Sequence, residues 1–342
     1  MKLFNRKLGV ASASLLSMTL ALAGCSSGNS SAGSGSPGSA STQKLKIGAV
    51  YLDTQGFYAG VTAGVKKAAS ESGRKVSFVE TNTQDDPGKE SQFIDTLISS
   101  QANAIVLSAA SAQGSVAAMR TAFNAHMPII CYNTCINMTD AKKYVYAYVE
   151  GDSLTFGYKT GLAAVAYFKK NNITDAEIGI VNCEFVEQCQ LRRAGFEKAL
   201  KESNIKYKIL ANQQGTDATK AVGIATNMLT ANPTINVLYG ESGGAAEGAV
   251  TAVQEKGQAG KVVVFGSDMT SVLAKALQDH TILKATINVS GTATGLKAFK
   301  AAMDAADGIK KPADLVIPVP IDVYTTSAQG AEWLKTHADG IP

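Results

Sequence analysis

Histidine, tryptophan and charge are the scarce materials of this chain. Of 342 residues only three are histidines (His126, His280, His337), one is tryptophan (Trp333) and 18% are charged. Zinc chemistry needs His, Cys or carboxylate ligands gathered at short intervals, and histidines this far apart do not supply them. The formal charge is +4, of which three units belong to Lys2, Arg6 and Lys7. The +1 that remains is too small to hold nucleic acid electrostatically. Hydrophobic residues nonetheless reach 45%, with 32 glycines and 7% aromatics. That composition suits a compact α/β protein rather than a disordered chain. At roughly 150 residues per domain the length allows about two domains, each with a sizeable core.

The N-terminal segment is organised differently from the rest. Residues 1–7 are short and basic, and residues 8–24 are apolar, small and uncharged. That is about the length of a secretory leader and is short for a membrane-spanning helix. The leader ends in Leu22-Ala23-Gly24-Cys25, which resembles a bacterial lipobox. The resemblance implies cleavage before Cys25 and a diacylglycerol on its thiol. Twelve of the eighteen residues 26–43 are Gly or Ser, so this stretch reads as a tether rather than a packed segment. A signal peptide (1–24), a tether (25–43) and a folded body from Lys44 are the expected organisation, outside the cytoplasm and held to the bacterial cell membrane by a lipid.

From Lys44 short apolar runs alternate with amphipathic stretches. Leu45-Lys46-Ile47-Gly48-Ala49-Val50-Tyr51 reads as a strand, and residues 57–72 place Val61, Val65, Ala68 and Ala69 at helical spacing. Strands follow at 76–79, 104–107 and 128–132, separated by helices at 90–99 and 116–125. The rhythm restarts after Asp152, with helices at 154–169, 191–202, 219–229 and 245–255. They alternate with strands at 177–181, 207–210, 236–239 and 261–265. Buried runs interleaved with helices demand parallel sheets covered on both faces. Two such units predict an α/β fold of two doubly wound lobes, with ligand at the carboxyl ends of the strands.

The order and spacing of several short pieces then resemble one family. They are Ile47-Gly48-Ala49 with Gly56-Phe57-Tyr58, Ala104-Ile105-Val106-Leu107-Ser108, Pro128-Ile129-Ile130, Arg193-Ala194-Gly195-Phe196, Leu229-Thr230-Ala231-Asn232-Pro233 and Gly266-Ser267-Asp268. Together they resemble the type I periplasmic binding proteins, in the ribose- and galactose-binding group of sugar ABC-transporter receptors. The resemblance implies three crossings between lobes, near residues 151–152, 289–291 and 318–322. It assigns 44–151 plus 290–318 to the first lobe and 152–289 plus 319–342 to the second, with helix 294–306 returning to the first. Trp333 then falls in a poorly defined tail. Also implied are a small carbohydrate ligand, hinge closure, permease subunits as partners, a monomer and no cofactor.

Phe57 and Tyr58 match the family's ring-stacking aromatics, which bury the apolar C–H faces of a sugar. Asp268 matches a carboxylate that accepts from ligand hydroxyls; capping of a helix that begins near Thr270 is its structural alternative. Tyr51, Gln55 and Ser108 end or follow strands that face the cleft by the same mapping. At five positions the chain departs from ribose-type receptors. Asn133 and Thr134 replace an Asp-Arg pair, Gln190 an Arg, Ser242 an amide, and Val289 a late amide with Asn288 beside it. Ionised groups are thus exchanged for neutral ones, which implies a neutral ligand such as a small polyol or deoxy sugar.

Cys131, Cys135, Cys183 and Cys189 admit three disulfide connectivities. Within the family's architecture, pairing Cys131–Cys135 and Cys183–Cys189 keeps each bridge inside one lobe, at the cleft rim. A bridge between lobes would oppose the hinge. A metal site and free thiols are the alternative readings of the same four residues.

Other functions leave specific marks to look for. A repressor on this core would carry an N-terminal helix-turn-helix where the leader stands. Gly240-Glu241-Ser242-Gly243-Gly244 fits the Gly-x-Ser-x-Gly of a hydrolase, whose Ser would need His280 or His337. The stretch 240–248 lacks the Lys-Ser/Thr of a phosphate loop, and Asp85-Asp86-Pro87 reads as a loop and helix start. A sensor feeding a membrane kinase or chemoreceptor would be the same binder with another partner. A nucleoside receptor would set rings from both lobes around a base, and the sequence offers ring candidates in only one.

Overall fold

Each lobe is a twisted sheet whose central strands are mostly apolar and buried, because helices cover both faces. A computed structural model of the protein describes residues 44–342; the leader, the tether and Cys25 lie outside the described residues. The first lobe opens with β1 (Leu45–Tyr51), α1 (Gly56–Glu71), β2 (Val76–Asn82), α2 (Pro87–Ser99), β3 (Ala104–Leu107), α3 (Val116–Asn124), β4 (Ile129–Tyr132), α4 (Met138–Tyr144) and β5 (Ala147–Glu150). The second runs through α5 (Ser153–Lys170), β6 (Asp175–Asn182), α6 (Glu187–Glu202), β7 (Lys206–Gln214), α7 (Ala218–Ala231), β8 (Val237–Gly240), α8 (Gly243–Glu255), β9 (Val263–Ser267), α9 (Ser271–Asp279) and β10 (Leu283–Val289). The chain then supplies α10 (Gly291–Ala306) and β11 (Val316–Pro318) to the first lobe, and β12 (Ile321–Tyr324) and α11 (Ser327–Thr336) to the second.

The sheet orders are β11-β5-β4-β3-β1-β2 and β12-β10-β9-β8-β6-β7. Within either lobe the pairings are parallel except β10 with β12, which is antiparallel. The two halves share one topology, so residues that follow corresponding strands face each other across the gap. Three crossings join them: after β5 at Gly151, after β10 at Ser290, and between β11 and β12.

Local chemistry sets several boundaries away from the sequence expectation. Helix α2 begins at Pro87 rather than residue 90, because Pro tolerates the first helical position and Asp86 accepts from Gly88 N and Lys89 N at 2.7 and 3.2 Å. Helix α6 begins at Glu187 rather than residue 191. The short elements α4 and β5 carry too little periodic pattern to be read from sequence. Trp333 is not in a loose tail. It lies on α11, is 3% exposed and joins the second lobe's core beside Leu273 and Leu277. Thr326 and Gln329 close a capping box at that helix's start.

Helices α1 and α10 pack backbone to backbone. A Cβ at Gly291 would stand 2.2 Å from Phe57 O, so only glycine fits there. The last residue also returns to this contact: Pro342 O accepts from Thr292 N at 3.1 Å and from Thr292 Oγ1 at 3.0 Å. Among the described residues no helix is long and apolar enough to cross a membrane.

Candidate functional site

A cleft of about 420 Å³ opens between the lobes at the carboxyl ends of the strands. Its first-lobe wall is the β1–α1 junction, with Gln55, Phe57 and Tyr58, together with Asn133 and Thr134 after β4. Gln55 occupies the N-cap of α1 without a side-chain capping bond. The Phe57 and Tyr58 rings meet edge to face, centroids 5.4 Å apart. Tyr58 Oη accepts from Asn133 Nδ2 at 3.0 Å and stands 3.2 Å from Ser108 Oγ. Burial pushes the Tyr58 hydroxyl up to about 12, so it stays protonated and able to donate.

Asn133 and Asp268 are counterparts. Each follows the corresponding strand of its lobe, and each adopts a left-handed backbone, φ 56° and 64°. Asn and Asp tolerate that conformation better than other side-bearing residues. Asp268 Oδ2 accepts from Gly243 N at 2.9 Å, at the start of α8. It does not cap its own helix: Thr270 does, accepting from Leu273 N. Ser242 caps α8 by accepting from Ala245 N at 3.4 Å and also lines the cleft.

Helix α6 corrects the expectation at Gln190. That residue is exposed, and its Nε2 donates to Glu184 O at 2.8 Å, away from the cleft. The lining residues are Gln188 and Arg192, four apart and so on one helical face. Arg192 Nη1 donates to Glu241 O at 2.8 Å and lies 4.0 Å from Asp268 Oδ1. The cleft therefore pairs Asp268 with a cation the sequence reading did not place there, and its lining also carries Asp53, Asp85, Asp217 and Glu247. Gln188 Nε2 also bridges the lobes, reaching Tyr148 Oη at 3.4 Å, while Tyr148 donates to Asn133 O at 2.6 Å.

Three further expected residues stand outside the lining. Tyr51 points toward β2, donates to Glu80 Oε1 at 3.0 Å and borders a separate cavity of about 400 Å³. Ser108 is fully buried, 2.7 Å from Thr134 Oγ1, and supports Tyr58 from behind. Asn288 is buried inside β10, and its Oδ1 has no hydrogen-bond partner among the described residues.

The cysteines pair as Cys131–Cys135 and Cys183–Cys189. The first bridge brackets Asn133; the second brackets Phe185 and Gln188 rather than Gln190. Phe185 is 49% exposed yet lines the cleft. It supplies the second-lobe ring that sequence reading missed; a large apolar residue inside a short Cys-bounded loop was the available signal. Cys183, Cys189 and Glu241 bring ligand-type atoms within 4.8 Å of one another, but sulfurs bonded to each other offer no thiolate to a metal. The hydrolase motif finds no histidine in the cleft: His280 ends α9 and His337 stacks on Trp333.

Behind Arg192, Glu241 is fully buried, with Oε2 accepting from Cys183 N at 3.2 Å and Oε1 unpartnered among the described residues. Burial pushes its carboxyl up to about 8 from an ordinary 4.5. Its favourable contribution is full below the ordinary value and is lost as pH rises to about 8, because the unfolded chain gives up that proton first. Relative to Glu241→Gln, the parent is expected to lose stability between pH 5 and pH 8. Urea titrations at the two pH values check this; parallel behaviour of the two proteins would refute it.

Two doubly wound lobes, three crossings and a cleft at the strand ends define a hinged solute receptor. The chain belongs to the periplasmic binding protein family, whose domain model matches residues 49–310, and so works outside the cytoplasm. It is 47% identical to the ABC transporter periplasmic-binding protein YphF of Escherichia coli K12, over 89% of this chain and 92% of that protein. A solute-binding protein from Actinobacillus succinogenes with bound D-allose superposes with a TM-score of 0.75 at 22% identity, covering 84% of this chain and 99% of its own. One from Bacillus halodurans with bound myo-inositol gives 0.72 at 19%, covering 88% and 100%. At such identities these two structures bear on the fold alone.

Proposed function

We propose that the protein is the solute receptor of an ABC importer. It is anchored through a lipid on Cys25, acts as a monomer, and carries a small neutral sugar or sugar alcohol to the permease without changing it chemically. The observation that carries this reading is the cleft's division of labour. Phe57 and Tyr58 form an apolar wall, while Asn133, Gln188, Arg192 and Asp268 converge from both lobes. A polyhydroxy ring has the same two faces, apolar C–H surfaces and a hydroxyl rim. Arg192 beside Asp268 sets a charged donor next to a charged acceptor, which suits neighbouring hydroxyls on one guest. Contacts on both lobes are complete only when the lobes close, so binding shifts the population toward the closed form. An epimer that leaves one buried polar group unpaired loses about 1–3 kcal/mol.

Thermal-shift measurements against pentoses, hexoses, polyols and nucleosides test this. A neutral polyhydroxy compound at one hundred times its Kd is expected to stabilise the protein by about 2.7 kcal/mol. Phe57→Ala is expected to weaken that compound's binding roughly tenfold to a hundredfold, since burying such a ring contributes about 1.5–3 kcal/mol. Unchanged binding in Phe57→Ala would remove the ring wall from the site. Phe185 on the second-lobe wall supports a second reading, a nucleoside receptor with its base held between Phe57 and Phe185. Stabilisation by nucleosides and not by sugars would select it.

A further inference from the structure

Arg192 enters the cleft lying on a buried ring. Its Cζ stands 4.2 Å from the centroid of Phe156. Nη1 is held by Glu241 O, and Nε is buried without an acceptor among the described residues. Its side chain is only 12% exposed, so the ring face supplies much of what water would otherwise give the cation. Phe156 is 1% exposed and sits on α5, the helix that begins directly after the first crossing. It belongs to the same apolar cluster as Val289 and Val319, with Ile321 packed against it; these residues flank the other two crossings. The next residue, Gly157, admits the α6 backbone so closely that a Cβ there would stand 1.7 Å from Arg192 O. Consecutive residues of α5 thus hold Arg192 twice, Gly157 at its backbone and Phe156 at its guanidinium.

From this geometry we infer that Phe156 is a positioning residue. Its ring fixes the plane of the Arg192 guanidinium and ties it to the packed crossings, so the grip on the guest and the hinge are mechanically one unit. A ring does this where an aliphatic side chain cannot, because only a π-face attracts a cation set over it. The functional half of the inference rests on the reading of Arg192 as a ligand contact; the positional half does not.

Two arms on the full chain separate those halves. The first needs no ligand. In the parent, the Arg192 Nε–H resonance is expected to be displaced by the Phe156 ring current and to exchange slowly with water. Phe156→Leu and Phe156→Met keep the site apolar, and both are expected to return the resonance to an ordinary arginine position with exchange about tenfold faster, that is 1.4 kcal/mol. An Arg192 resonance identical in parent and variants overturns the inference. In the second arm, D-allose and myo-inositol are titrated calorimetrically. Phe156→Leu is expected to bind about tenfold more weakly, with its melting temperature close to the parent's, and that loss is expected to vanish in an Arg192→Met background. An equal loss with and without Arg192 also overturns the inference. If Arg192→Met itself costs no affinity while the resonance change stands, the ligand reading fails and the positioning role survives.

Discussion

Asp268→Ala is expected to weaken binding of the transported solute by at least about a hundredfold, roughly 2.8 kcal/mol. Three features combine to make this the most sensitive position of the cleft. The carboxylate faces the gap from a left-handed turn at the end of β9. One oxygen is partly engaged by Gly243 N, which leaves lone pairs for ligand hydroxyls. The other faces Arg192 at 4.0 Å, and its removal leaves a largely buried cation without its counter-charge; truncating one partner of such a pair costs about 2–5 kcal/mol. Asp268→Asn preserves the shape and an acceptor for Gly243, so it is expected to fall between parent and Ala. Calorimetric titration measures all three. Parent-like affinity in the Ala variant would remove Asp268 from the site.

The largest expected loss of stability lies outside the cleft lining, at Trp333. Trp333→Ala is expected to cost about 3–5 kcal/mol, as for other large-to-small changes in a packed core. The indole is buried against Leu273 and Leu277 of α9, and His337 stacks on it with ring centroids 4.5 Å apart. Chemical denaturation gives the value directly. A cost below about 1 kcal/mol, the range of ordinary surface changes, would show that α11 is an appendage rather than part of the core. Solute affinity of the folded variant is expected to stay within about twofold of the parent, since α11 contributes nothing to the cleft lining.

Periodicity made the paired lobes readable, because central strands buried on both faces are near-continuous apolar runs that stand out from amphipathic helices. Phe57, Tyr58 and Asp268 could be found through the family resemblance, which sets each just after a strand, and all three line the cleft. Arg192 could not. The first turn of α6, Glu187-Gln188-Cys189-Gln190, is polar, so apolar spacing registers the helix four residues late and leaves its phase open. With the true start, 188 and 192 share a face and Gln190 turns about 200° away from Gln188. Tyr51 fails differently: the last residue of β1 alternates to the side that meets Glu80, outside the interlobe gap. Trp333 lay after the strong repeats, where only its capping residues marked a helix.

The crossing pattern has a consequence for biosynthesis. Residues 291–342 carry α10 and β11 for the first lobe and β12 and α11 for the second. Until they emerge, both sheets lack an edge strand, and the face of α1 that Gly291 will later meet stays bare. Neither half can therefore mature early and wait for the other. A nascent chain passing through a secretion channel remains unfinished almost to its end, which keeps it threadable for most of its passage. The same wiring makes a stop codon anywhere upstream of residue 290 damaging to both halves at once.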